Sequence, residues 1–293
     1  MESGVATRPI EDMDAYKERL DESVFKSALL MRPVFEAARA ASRRIVFAEG
    51  EDERVLRAAQ AILEETTETP ILIGRPEVIE QRCERLGLDI RPERDFQLVN
   101  PENDPRYYDY WNSYHHLMAR RGVTPDLAKA IMRTNSTAIG GIMVQRGEAD
   151  SLICGTFGEY RWHLNYISQI LGTETLRPHG ALSLMILEDG PLFIADTHVH
   201  QHPNAETLAV IAEGAARHVR RFGLDPKIAF CSQSQFGNQS GGSGERLRAA
   251  ISILDQEKHD FIYEGEMNLD VALDAELRER IFPSSRLEGE ANV

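Results

Sequence analysis

The alternation of short apolar runs with segments of helical periodicity constrains this chain most. Ile45–Glu49 reads as a buried strand, and Thr69–Ile73, Phe96–Val99 and Ser151–Cys154 read as further short strands. Glu53–Glu65, Glu77–Leu86, Tyr107–Arg121, Pro125–Arg146 and Tyr160–Leu171 read as helices. Short strands that are apolar throughout must be covered on both faces, and the intervening helices supply the cover. The pattern predicts an α/β fold with a parallel or mixed sheet.

After Gly172 the pattern changes. Ser183–Glu188 and Leu192–Ala195 flank Asp189-Gly190-Pro191, a hairpin-type turn. A helix over Asn204–Phe222, a strand at Ile228–Cys231, a helix over Gly244–Gln256 and a strand at Phe261–Glu264 follow, with Gly241-Gly242-Ser243-Gly244 read as a loop. This divides the chain into a helical segment over 1–42, a first α/β domain over 43–172 and a second over 173–293. In the first segment Met13, Tyr16, Leu20, Val24, Phe25 and Leu29 are spaced as one helical face, with a break at Pro33. That stripe needs a partner surface, on its own domain or on another chain.

Charge narrows the function classes. Asp plus Glu exceed Lys plus Arg by 47 to 33, a formal charge of −14. Nucleic acid and anionic membranes need a basic face, so neither is an expected partner, and an anionic ligand needs a local basic pocket. Cys83, Cys154 and Cys231 are odd in number and far apart, without disulfide or zinc spacing. No signal peptide or long apolar run is present, so the expected location is cytoplasmic.

Four constellations can carry chemistry. Arg120-Arg121-Gly122-Val123-Thr124-Pro125 puts two cations at one helix end beside the N-terminus of the next, with Thr124 as cap and Pro125 at the first position. The competing reading is that these arginines complement a helix dipole. Cys154-Gly155-Thr156-Phe157-Gly158 joins a strand end to a helix, where α/β folds place ligands. Ser232-Gln233-Ser234-Gln235-Phe236-Gly237 offers hydroxyls and amides, or simply closes a βα connection. Glu264-Gly265-Glu266-Met267-Asn268-Leu269-Asp270 reads as paired carboxylates or, preferably, as a turn capping a helix over Leu269–Ile281. His198, His200 and His202 alternate, but with no carboxylate or cysteine beside them a metal site is not expected.

From Arg43 to Val293 these segments, in this order, resemble the phosphate acetyltransferase (phosphotransacetylase) family. The match opens on Arg44-Ile45-Val46-Phe47-Ala48-Glu49-Gly50-Glu51-Asp52-Glu53-Arg54 and runs to Glu288-Gly289-Glu290-Ala291-Asn292-Val293. The resemblance implies two α/β domains of the phosphotransacetylase/isocitrate-dehydrogenase-like type with a ligand cleft between them. It also implies an acetyl-CoA or phosphate site drawn from Arg120, Arg121, Thr156, Phe157, Arg161, Asn165, Ser232, Ser234, Phe236 and Gly237. Asn165 stands where the family has an arginine for its anionic substrate, with Arg161 four residues earlier as a partial substitute. Thr197 replaces a family cysteine. The family's closing serine–arginine pair and aspartate have no counterpart here, so no catalytic residue is assigned. The first domain is then expected to lack its last strands and to expose an apolar edge near Asn292-Val293.

Ser3-Gly4-Val5-Ala6-Thr7-Arg8-Pro9-Ile10 and the Phe236-Gly237 turn resemble the hybrid bacterial NADP-dependent malic enzymes, in which a phosphotransacetylase-like half follows a malic-enzyme half. NADP and a divalent metal are then expected only in that other half. The reading that follows is a regulatory, oligomer-forming domain, at least dimeric, that binds acetyl-CoA or a related acyl-CoA without metal or cofactor of its own. The alternatives are an active phosphate acetyltransferase and a purely structural oligomerisation domain.

Overall fold

The computed structural model describes Tyr16, residues 29–41 and residues 43–293, apart from 67, 173–179, 188–189 and 239–240. The Ser3–Ile10 run and most of the N-terminal helical face lie outside the described residues; of that segment, residues 29–40 are helical (α1). The chain divides into two compact units, Arg39–Leu176 and Arg177–Val293 grouped with Met1–Ala38. The α/β class expected from the alternation is what the structure shows. Among the described residues no helix is long and apolar enough to cross a membrane.

In the first unit, β1 (Ile45–Phe47), β2 (Ile71–Ile73), β3 (Gln97–Val99) and β4 (Ser151–Ile153) form a fully parallel sheet in the order β3-β2-β1-β4. Side chains alternate across a strand. Val46, Ile71 and Ile73 therefore enter one core, while Phe47 and Leu72 enter the other. Helices α2 (Glu53–Glu65) and α3 (Pro76–Leu86) cover the Phe47 side through Leu56, Ala59 and Ile79. Helices α4 (Tyr107–Met118), α5 (Pro125–Thr134), α6 (Ser136–Gln145) and α7 (Tyr160–Leu171) cover the other through Tyr110, Met132, Ile142 and Ile170. The chain builds β1 to β3 outward in one direction, then returns to place β4 on the opposite side of β1. The carboxyl ends of β1 and β4 thus flank a topological switch point, where open α/β sheets bind ligands.

Two helix boundaries differ from the periodicity. The expected single helix Pro125–Arg146 is interrupted at Asn135, whose backbone is extended and whose side chain caps α6 by accepting from Ala138 N at 2.9 Å. An apolar periodicity runs through both helices and hides the break, but Asn-Ser-Thr is itself a start signal. The expected helix Tyr107–Arg121 ends early, in a 3-10 turn over Ala119–Arg121 closed by Gly122 at φ +87°.

The second unit holds an antiparallel pair, β5 (Leu182–Leu187) with β6 (Gly190–Ala195), and a parallel pair, β7 (Lys227–Cys231) with β8 (Ile262–Met267). Helices α8 (Ala205–Arg220) and α9 (Gly242–Leu254) pack on Ile228 and Phe230. Two of the loop glycines expected at 241–244 begin α9 instead. The stretch expected to be a helix-capping turn at Glu264–Met267 is strand, followed by α10 (Leu269–Leu273) and α11 (Ala275–Ile281) rather than one helix. Asn292-Val293 does not mark an edge of the first unit. Asn292 O accepts from Phe193 N, Val293 O accepts from Ala229 N, both at 2.8 Å, and Val293 packs on the second unit's core.

Asn135→Ala is expected to cost about 1 kcal/mol of stability, read as a lower urea midpoint at unchanged slope, with Asn135→Ser recovering most of it.

Candidate functional site

At the switch point the two loops are tied by a buried carboxylate. Glu49, 5% exposed, leaves β1 at its carboxyl end. Both of its oxygens lie 3.1 Å from Gly155 N, just past β4. Burying a carboxylate is costly unless its oxygens are bonded, so the geometry of the Gly155 loop and the burial of Glu49 require each other. Gly155 and Gly158 sit at φ +96° and +93°, which is why glycines bracket this loop.

His163, on α7, ties the same loop from below. Its Nε2 is 2.8 Å from Phe157 O, and its Nδ1 is 2.8 Å from Thr137 Oγ1 on α6. A carbonyl only accepts, so Nε2 carries a proton and donates to Phe157 O, while Nδ1 shares a hydrogen bond with the threonine hydroxyl. Glu49 Oε1 lies 3.9 Å from Nδ1. Arg54, held by Asp52 through two bonds of 3.0 Å, donates to Thr156 O. The loop backbone is therefore fixed from three directions. Its side chains are left over: Phe157 is 65% exposed, and the buried Thr156 Oγ1 has no partner among the described residues. Beside it, burial first and the Glu49 charge second push the Cys154 thiol up to about 11, out of the range of a thiolate nucleophile at neutral pH.

Thr156 and Phe157 are thus gathered into one loop. Arg161 and Asn165 lie on the exposed face of α7, where Asn165 Oδ1 accepts from Gln169 Nε2 at 3.1 Å. Arg120 and Arg121 are exposed in the 3-10 turn and have no hydrogen-bond partner among the described residues.

In the second unit, Ser232, Ser234, Phe236 and Gly237 wrap around Glu266, which is fully buried. Glu266 Oε1 accepts from Ser234 Oγ, from Gly237 N at 3.0 Å and from Arg248 Nη1 at 2.5 Å. Burial works to raise this carboxyl, but the Ser234 and Gly237 bonds and the Arg248 charge outweigh it and hold it below the usual range. The Ser234 hydroxyl is consumed by this bond. Phe236, one of the site residues the resemblance implies, packs on Phe282 with centroids 4.0 Å apart. Ser232 Oγ lies 3.1 Å from Ser243 Oγ. The alternating histidines do have a carboxylate beside them: His200 Nδ1 lies 2.6 Å from Asp196 Oδ2. Among the described residues no group of histidine, cysteine and acidic side chains could hold a metal.

Glu49, His163, Thr137 and Arg54 were missed as site residues because their partners are remote in sequence; Glu49 and Gly155 are 106 positions apart. The one available signal was an acid directly following an apolar strand.

Glu266 ties stability to pH. Its folded pKa lies below the ordinary value of about 4.3, so its stabilisation is complete above that value and is lost as pH falls through the lowered one. Glu266→Gln is expected to be less stable at pH 7 and to show a shallower loss of stability below about pH 4.3, measured by urea unfolding across pH.

Sequence and structure comparisons agree with this architecture. The profile described as phosphate acetyl/butaryl transferase matches residues 29–293. An NAD-dependent malic enzyme of Rhizobium meliloti (strain 1021) is 51% identical over all of this chain and 38% of its own length. An NADP-dependent malic enzyme of Salmonella typhimurium is 46% identical over all of this chain and 39% of its own. This chain thus spans well under half the length of these curated relatives. A phosphotransacetylase from Streptococcus pyogenes superposes with a TM-score of 0.80 at 27% identity, covering 89% of this chain and 80% of its own. The chain belongs to the phosphate acetyl/butaryl transferase family, in the form found in the C-terminal part of hybrid malic enzymes.

Proposed function

We propose that this chain is the regulatory acyl-CoA-binding domain of a hybrid malic enzyme, and that it binds acetyl-CoA or a close relative without transferring the acetyl group. The observation that carries the reading is the contrast within one site. The loop at the switch point is fixed by Glu49, His163 and Arg54 and presents an exposed Phe157, while its Thr156 hydroxyl is buried without a partner among the described residues. The helix that follows it offers, at the family's arginine position, the amide of Asn165. An amide carries no charge and lacks the planar fork that clamps a phosphate dianion. The Cys154 thiol is not poised to attack either. Binding survives this loss better than transfer does, because transfer needs charge stabilised where it develops.

In the intact protein the malic-enzyme half would decarboxylate malate oxidatively to pyruvate, with a nicotinamide nucleotide and a divalent metal held there. Acyl-CoA bound to this domain would shift that half only if it prefers one conformation of the pair. A homo-oligomer, at least a dimer, fits the second unit: Met185, Ile186, Leu187 and Ile194 on the β5–β6 pair are each more than 40% exposed. Apolar side chains clustered on one ribbon are characteristic of an interface.

Calorimetric titration of acetyl-CoA in phosphate buffer is expected to give saturable heat that ends at stoichiometry, with no free coenzyme A released. Continuing heat with thiol release would mean acetyl transfer, and no saturable heat would mean a scaffold. Asn165→Arg is expected to tighten binding by about tenfold through a charge-assisted pair.

A further inference from the structure

The two strand pairs of the second unit are not hydrogen-bonded to each other. Between β6 and β7 lies an apolar groove of about 460 Å³, wholly within that unit. We propose that this groove is a strand-acceptor site. It takes one extended segment from the rest of the polypeptide to which this chain belongs, and so joins β5–β6 and β7–β8 into a single sheet. The inference rests on the chain's place in a longer hybrid polypeptide and not on acyl-CoA binding.

Asn292 and Val293 show how the groove is used. Phe193 N on β6 donates to Asn292 O, and Ala229 N on β7 donates to Val293 O, both at 2.8 Å. One extended segment thus reaches both strands. Neighbouring strands lie about 4.8 Å apart, so the gap between β6 and β7 is one strand wide. The direction is set as well. Val293 N donates to Lys227 O at 3.2 Å while its carbonyl accepts from Ala229 N, so Val293 brackets Ile228 in the pattern of a parallel ladder.

Past Val293 the same ladder stands open. Backbone groups alternate in direction along a strand, so the Ala195 amide points into the groove as the Phe193 amide does. On β7, Ser232 N donates to Met267 O at 2.9 Å, which leaves the Cys231 amide turned away from β8 and into the groove. Among the described residues no backbone bond crosses the groove at Ala195 or Cys231. Two facing strand edges of this kind are a template for an added strand, held by main-chain bonds on both sides.

The walls set the chemistry of the occupant. Ile228 and Phe230 face the core beneath α8 and α9, whereas Ala229 faces the core that holds Ala272 of α10. A strand beside β7 is therefore covered on both faces, with Ile211 and Leu247 lining the groove from α8 and α9 and Leu273 from α10. Such a strand is apolar throughout rather than alternating. Its source follows from supply and direction. Every strand among the described residues is already paired within its own unit, so a second copy has no free strand to give. Well over half of each matched malic enzyme lies outside the part this chain spans, and the open ladder runs on in line from Val293.

The test compares backbone hydrogen–deuterium exchange at Ala195 and Cys231 in this chain and in the full-length protein. Both amides are expected to exchange freely in the chain at every concentration. In the full-length protein they should be about a hundredfold or more slower, together with one apolar stretch from outside this chain. Deleting that stretch should return both amides to the rate seen in the chain. Ala229, already bonded to Val293, should stay slow throughout and reports an intact fold. Equal, fast exchange in the two proteins overturns the proposal. Slowing in the chain as its concentration rises also overturns it, because a second copy would then be the occupant. Amides that stay slow in the full-length protein after the deletion do the same. Acetyl-CoA is absent from every sample, so a failure here and a failure of the acyl-CoA reading are seen separately.

Discussion

The arrangement of the first unit turns on one buried carboxylate. Glu49 is almost fully enclosed at the point where the parallel sheet reverses its order, and its oxygens are met by the Gly155 amide. An unbonded carboxylate in that position would be several kcal/mol unfavourable, so the loop after β4 must stay where its amide reaches Glu49. His163 makes the same demand from the other side by tying Phe157 O to Thr137 on α6. The loop is thereby pre-organised by core residues, so that its exposed Phe157 ring could meet a ligand with little ordering still to do.

The second unit uses the same device. Glu266, fully buried on β8, gathers Ser234, Gly237 and Arg248 and so shapes the turn after β7. In both units an acid at a strand end organises a neighbouring loop, and in neither is that acid exposed as a general base. This favours a domain that retains a binding shape over one that retains acid–base chemistry. The desolvated Cys154 thiol points the same way.

Much of this was legible in the sequence, and the parts that were not share a cause. The strands of the parallel sheet were visible because Val46 and Phe47, or Ile71 and Leu72, must both be apolar when a strand is covered on both faces. Gly155 and Gly158 were visible because only glycine readily takes their backbone angles. Thr124 as a cap and Pro125 as the first helical residue were visible because caps are local, and Thr124 Oγ1 does accept from Leu127 N at 3.2 Å. The break at Asn135 was masked by apolar residues continuing through it. Glu49, His163 and Glu266 owe their roles to partners brought close only by the fold. The contact of Phe236 with Phe282 was not legible, because the two are 46 positions apart and meet only in the fold. The carboxylate beside His200 is Asp196, which directly follows β6 and lies off the alternating histidine face.

Hydrogen–deuterium exchange across residues 154–163, with and without acetyl-CoA, tests the central claim most directly. If Glu49 and His163 hold the loop ready, the Gly155 amide is already slow in the free chain, the rest of the loop slows on saturation, and no coenzyme A is released. A Gly155 amide that exchanges at the rate of an open loop, or a loop that acetyl-CoA leaves unchanged, would contradict it.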